Sequence, residues 1–252
     1  MIRVLSLTLA TLTAVVAWNI SVFFATSEGW TKSPIVKSDS SQAFVAAVEE
    51  PVATQHVGNF GIVLLEKGDV AERYFMSTGT PVDGSSVYQV ASLGKWITAW
   101  GVMVLVEEGA IDLDTPISDY LTRWQLPESA FDHSGVTVRR LLSHTAGLTD
   151  GLGYDGFERE EEVQSLEGSL TRALDASPGN AGVVELGAEP GSEWNYSGGG
   201  YTILQLVIEE VSGQSFAEFM SQRVFVPLGM ERSTFNHEEA IAFGLAQNFD
   251  LN

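Results

Sequence analysis

Ser92 and Lys95 stand three positions apart in Ala91-Ser92-Leu93-Gly94-Lys95-Trp96. Residues three apart share a helix face, so a helix here sets the amine beside the hydroxyl. A hydroxyl at a helix start also faces unpaired backbone N–H groups, whose partial positive charge favours an anion forming there. A lysine among apolar side chains has its charged form disfavoured, which lowers its pKa and fits it to accept a proton. That chemistry makes Ser92 a candidate nucleophile and Lys95 its base. The same residues also read as a helix cap at Ser92 and a Lys95 that reaches into solvent. Taken alone, so short a pattern favours the second reading.

The element that must position the pair is the run behind it. Trp96 to Val106 carries no charge, and Glu107-Glu108-Gly109 closes it as a helix end. An all-apolar helix predicts burial on every side, so this is the expected central helix. Phe60–Leu65 and Val70–Met76 read as strands joined by a turn at Lys67-Gly68-Asp69. Such a hairpin is marginal alone and needs something to pack on. Ser41 is expected to cap a short helix that Pro51 stops, and Thr137 to cap Val138–Leu142. Phe157 to Ala176 reads as an amphipathic helix, Tyr201 to Val211 as another ended by Gly213, and Ser215-Phe216-Ala217-Glu218 as a capping box.

Composition excludes several classes. The chain has no Cys, so disulfides, thiolate catalysis and Cys-based zinc sites are ruled out. A net charge of −20 with no block of Lys or Arg argues against nucleic acid as a partner. His56, His133 and His237 are scattered without metal-ligand spacing, and no cofactor is expected. From Val4 to Ala25 there is no charge, long enough to span a hydrocarbon core, with Arg3 before it. An uncleaved membrane anchor that sends the rest of the chain outward is the favoured reading. A cleaved signal peptide is its rival, with Phe23-Phe24-Ala25 a poor cleavage site. The expected layout is residues 1–26 as anchor or signal, 27–51 as tether and 52–252 as the folded domain.

Four motifs then occur in order. They are Ser92-Leu93-Gly94-Lys95, Leu141-Leu142-Ser143-His144-Thr145-Ala146-Gly147-Leu148, Pro190-Gly191 before Tyr196-Ser197, and Pro227-Leu228-Gly229-Met230. Together they resemble the serine β-lactamase and DD-peptidase superfamily, in the branch of class C β-lactamases, D-alanyl-D-alanine carboxypeptidases and β-lactamase-like esterases. The resemblance implies an α+β, β-lactamase/transpeptidase-like fold, a helical region with an antiparallel sheet. It implies an exported serine hydrolase in which Ser92 forms an acyl-enzyme while Lys95 and Tyr196 share proton transfer, either being the base. The implied partners are a small-molecule ester, peptide or β-lactam-like substrate, and a membrane through the N-terminal helix. His144 falls in a stretch the resemblance treats as structural.

Two departures qualify this. The third position of the family's Tyr-x-Asn motif is Gly198, and Asn195 lies on the wrong side of Tyr196. Loss of that amide shifts weight from peptides and β-lactams toward esters. No residue after Met230 reads as the family's Lys/His-x-Gly strand, which would supply one of two oxyanion donors. The C-terminal strands are therefore expected to be missing and the chain to be an inactive fragment. The alternative to an enzyme is an inactive homologue that serves as a binding or assembly module.

Overall fold

The computed structural model describes residues 2–27, 35–36, 40–151, 154–157 and 162–247, with the side chains of residues 2–12 outside that description. The chain divides into one unit of residues 1–84 and 247–252 and another of 85–246.

In the first unit, helix α1 spans Ile2–Ser27 and α2 spans Ser41–Gln55. Among the described residues no helix is long and apolar enough to cross a membrane. The expected span Val4–Ala25 falls in part on residues whose side chains lie outside the description. Most of the expected tether between α1 and α2 lies outside the described residues as well. α2 differs from expectation at both ends. Ser40, not Ser41, is its cap, accepting from the Ala43 N–H, and Pro51 lies inside the helix. A single proline removes one ladder bond without ending a helix whose next turn closes, and the His56 N–H reaches the Val52 carbonyl.

Strands β1 (Asn59–Glu66) and β2 (Asp69–Ser77) form the expected antiparallel hairpin, with Glu66 opposite Asp69. The turn residues Lys67 and Gly68 have φ of 54° and 93°, the paired positive angles that match the twist of two strands joined by two residues. The register slips between Leu64 and Leu65. The packing that the hairpin needs is supplied in part by α2, which lies on β2. Helices with an antiparallel hairpin make the chain α+β, as expected.

In the second unit, a 3₁₀ turn at Ala91–Leu93 leads into α3 (Gly94–Glu107). There follow α4 (Val138–Leu142), α5 (Leu166–Arg172), α6 (Gly198–Ser212), α7 (Phe216–Met220) with a π turn at Ser221–Phe225, and α8 (His237–Ala242). The central helix is α6, not α3. Ile203, Leu204, Leu206, Val207 and Ile208 have no exposure, and α3, α4, α5 and α7 all pack on it. α3 buries a single stripe, Thr98, Gly101, Val102 and Leu105, while Trp96 is 79% exposed and Trp100 52%. Apolar composition permits burial on every face, but the neighbours decide which faces are covered. Here the covered face is the one toward α6 and α7.

The caps of the second unit largely follow the sequence. Thr137 accepts from the Arg140 N–H at 3.4 Å, and Ser215 from the Glu218 N–H at 3.4 Å. Gly213 ends α6 at φ 70°. The long helix expected over 157–176 is instead the short α5, capped by Ser165, with residues 158–161 outside the described ones.

Candidate active site

Ser92 sits in the 3₁₀ turn that precedes α3, not in the helix itself. Ala91 just before it has φ 44°, a left-handed conformation unusual for alanine. Strain of this kind persists only where the surrounding fold holds it, and such positions cluster at functional sites. The turn leaves Ser92 exposed. Its hydroxyl is no helix cap, because Leu93 holds the cap position of α3 and makes no side-chain bond.

The structure brings the three sequence-expected residues together. Lys95 Nζ donates to Ser92 Oγ at 3.3 Å, and the Tyr196 hydroxyl donates to the same oxygen at 2.9 Å. Lys95 is half-buried rather than sunk in the core. Its surroundings are aromatic, with Nζ 4.9 Å from the ring centre of Tyr196 and 5.7 Å from that of Tyr201. The faces of aromatic rings attract a cation, so these rings hold the ammonium where it meets both hydroxyls. For Tyr196, burial pushes the phenol pKa up. The hydrogen bonds shared with Lys95 and Ser92 and the Lys95 charge outweigh that, and the pKa falls below its ordinary value.

Tyr196 is placed by the loop before α6. Ser197 caps that helix, accepting from the Gly200 N–H at 2.7 Å, and donates its own hydroxyl to Asp150 Oδ1 at 2.5 Å. The other Asp150 oxygen accepts the Gly199 N–H at 2.8 Å and the Tyr154 hydroxyl at 3.0 Å. A carboxylate at a helix N-terminus satisfies orphan donors and complements the dipole. Nothing in the sequence marked Asp150, which lies 47 residues before its partner Ser197. Asn195, set aside above, braces the loop by donating to the Leu148 carbonyl at 2.6 Å.

Gly198 acquires a reason. A Cβ there would come 2.6 Å from the ring of Tyr154, so that ring occupies the room a side chain at 198 would need. Tyr154, Gly198, Lys95, Tyr201 and Asp175 line a cavity of about 250 Å³ beside the serine. Burial, followed by the charge of Asp150, raises the Tyr154 phenol pKa and keeps it protonated. Among the described residues no group of acidic or histidine side chains could hold a metal ion.

The profile of the family described as beta-lactamase matches residues 44–252. The chain belongs to the β-lactamase family. Penicillin-binding protein 4 of Amycolatopsis lactamdurans is 31% identical over 199 residues, 77% of this chain and 49% of that protein. A penicillin-binding protein of Bacillus subtilis is 31% identical over 189 residues, 73% of this chain and 39% of that protein. The chain thus spans less than half the length of these curated relatives. The octameric penicillin-binding protein homologue from Pyrococcus abyssi superposes with a TM-score of 0.65 at 28% identity, covering 82% of this chain and 47% of that one. A β-lactamase-like fold and membership of a serine hydrolase family follow from these matches, as the four sequence motifs implied.

Proposed function

We propose that the chain is a serine acyl-transfer hydrolase in which Ser92 is the nucleophile, Tyr196 the proton acceptor and Lys95 the cation that tunes it. The convergence of Tyr196 and Lys95 on one serine oxygen carries this reading. When Tyr196 is ionised, the 2.9 Å contact reverses, and the Ser92 O–H donates to the phenolate as the oxygen attacks a carbonyl. The proton then passes from Tyr196 to the leaving group, and an acyl-Ser92 remains for water to cleave. The Lys95 ammonium beside the phenolate lowers the cost of forming it. Tyr196 is preferred to Lys95 as the base because it lies nearer the serine and its pKa is lowered.

The substrates proposed are small esters or amides, with esters favoured. The family's motif places an amide side chain at the position of Gly198, and here the Tyr154 ring stands in that room, its hydroxyl turned to Asp150. The relatives named for penicillin binding supply a second probe. A fluorophosphonate or a labelled penicillin is expected to modify Ser92 in the parent chain and not in Ser92→Ala. Equal labelling of both would remove the assignment. Export and tethering through α1 are proposed from the uncharged run Val4–Ala25. Recovery of the protein in the soluble fraction, or a mature N-terminus after Ala25, would replace the anchor by a cleaved signal.

A further inference from the structure

We propose that His144 is a positioning residue for Tyr196, a clamp that grips Asn195, Tyr196 and Ser197 at once and so aims the phenol at Ser92. The inference rests on the reading of Ser92 and Tyr196 given above. The His144 carbonyl accepts the Asn195 N–H at 2.8 Å. Its imidazole stacks on the Tyr196 ring with centres 4.4 Å apart and planes 27° from parallel. Its Nδ1 accepts the Ser197 N–H at 3.1 Å. One residue thereby fixes the backbone on both sides of Tyr196 and the ring between them.

The clamp is itself held tightly. His144 has φ 58°, a left-handed backbone that is uncommon outside glycine and that Asn, Asp and His adopt more readily than other side chains. That conformation is locked by the His144 N–H on the Leu141 carbonyl and by the Thr145 N–H on the Arg140 carbonyl, both at the end of α4. The imidazole also leans on Trp194 and Tyr201, with ring centres at 6.0 and 5.3 Å. The phenol of Tyr201 is tied to the Leu142 carbonyl at 3.1 Å. A glycine would give the same turn but would carry neither the stacked ring nor the Nδ1 acceptor.

The clamp works in one protonation state. An imidazole accepts at Nδ1 only when that nitrogen carries no proton, so the neutral ring holds its hydrogen on Nε2. An imidazolium would lose the Ser197 bond and set a second cation near Lys95. The charged and titratable groups facing the ring are Lys95 on α3, Asp150 in the loop before α5, Tyr196 in the loop before α6 and Tyr201 in the first turn of α6. Burial lowers the His144 pKa first and Lys95 lowers it further, while Asp150 opposes them. The neutral, gripping form therefore persists through neutral pH and is lost only in acid.

The test compares His144→Asn and His144→Ala in the full chain. Asn tolerates the left-handed backbone and offers an amide oxygen to the Ser197 N–H, but it does not titrate. Two readouts are followed against pH: the rate of fluorophosphonate labelling at Ser92, and the Tyr196 phenol titration by absorbance, with Tyr196→Phe as blank. The parent's labelling, already falling with the Tyr196 phenolate, is expected to fall more steeply in an added acidic step below the ordinary histidine value. His144→Asn, which keeps an acceptor for the Ser197 N–H but loses the stacked ring, should label more slowly than the parent and faster than His144→Ala, and lack that acidic step. His144→Ala, if still cooperatively folded, should label about tenfold to a hundredfold more slowly, as a misplaced catalytic group does. Its Tyr196 pKa should move up toward that of free tyrosine. An acidic step retained in His144→Asn, or an unchanged Tyr196 titration in His144→Ala, overturns the clamp. If no variant labels and yet Tyr196 shifts, the clamp stands and the nucleophile assignment falls.

Discussion

The hydroxyls of Ser92 and Tyr196 lie 2.9 Å apart although 104 residues separate them in the chain. The contact joins the turn before α3 to the loop before α6, the two elements whose packing forms the middle of the second unit.

Tyr196→Phe removes the proton acceptor and leaves the ring. Ser92 labelling is expected to fall about 10²- to 10⁴-fold, the usual contribution of a positioned general base. The melting temperature should barely move, because among the described residues the phenol oxygen meets Ser92 and Lys95 at a partly exposed site. Labelling at the parent rate would transfer the base role to Lys95.

The pH dependence follows from the Tyr196 shift. Its pKa is lowered in the folded chain, so the phenolate forms at lower pH than in free tyrosine, ordinarily near 10. Labelling should therefore rise with pH, with its midpoint below that value. Lys95→Met removes the hydrogen bond and the charge that lower the pKa, and leaves the burial that raises it. The phenol titration should then move upward, above the free value. A titration that stays put would show that Lys95 does not tune Tyr196.

Gly198→Asn restores the family's residue at the third motif position and tests the reading of Tyr154. The new Cβ meets the Tyr154 ring 2.6 Å away, and overpacking of this kind costs about 1–3 kcal/mol. Thermal melts should show the loss, and adding Tyr154→Ala should recover much of it. If Gly198→Asn is tolerated without change, the ring is not what excludes a side chain there.

Gly147 has φ 78°, and a Cβ on it would run into the Ala188 carbonyl. The Gly147 carbonyl accepts the N–H groups of both Gly187 and Ala188, so the two loops cannot separate freely. Gly147→Ala is expected to cost roughly 2 kcal/mol or more, since it combines backbone strain with a clash against main chain. Denaturant unfolding would read it directly. A cost below about half a kilocalorie, the range of ordinary surface changes, would mean that the loop yields.

The sequence by itself singled out the candidate residues that the structure brings together, and most of the local structure. Ser92, Lys95 and Tyr196 were legible because short-range spacing and ordered motifs are properties of the chain. The Thr137 and Ser215 caps, the Lys67-Gly68 turn and the Gly213 stop were legible because each depends on a few adjacent residues. Tertiary structure alone decided which helix is central. An apolar run does not record how many neighbours it will meet, so α3 looked more buried than α6 and is less so. It also decided the contacts of Asp150, Tyr154 and His144, whose partners lie 44 to 53 residues away on another loop. Residue identity fixes what such a group can donate or accept. What it meets is set only when the loops before α5 and α6 close on one another.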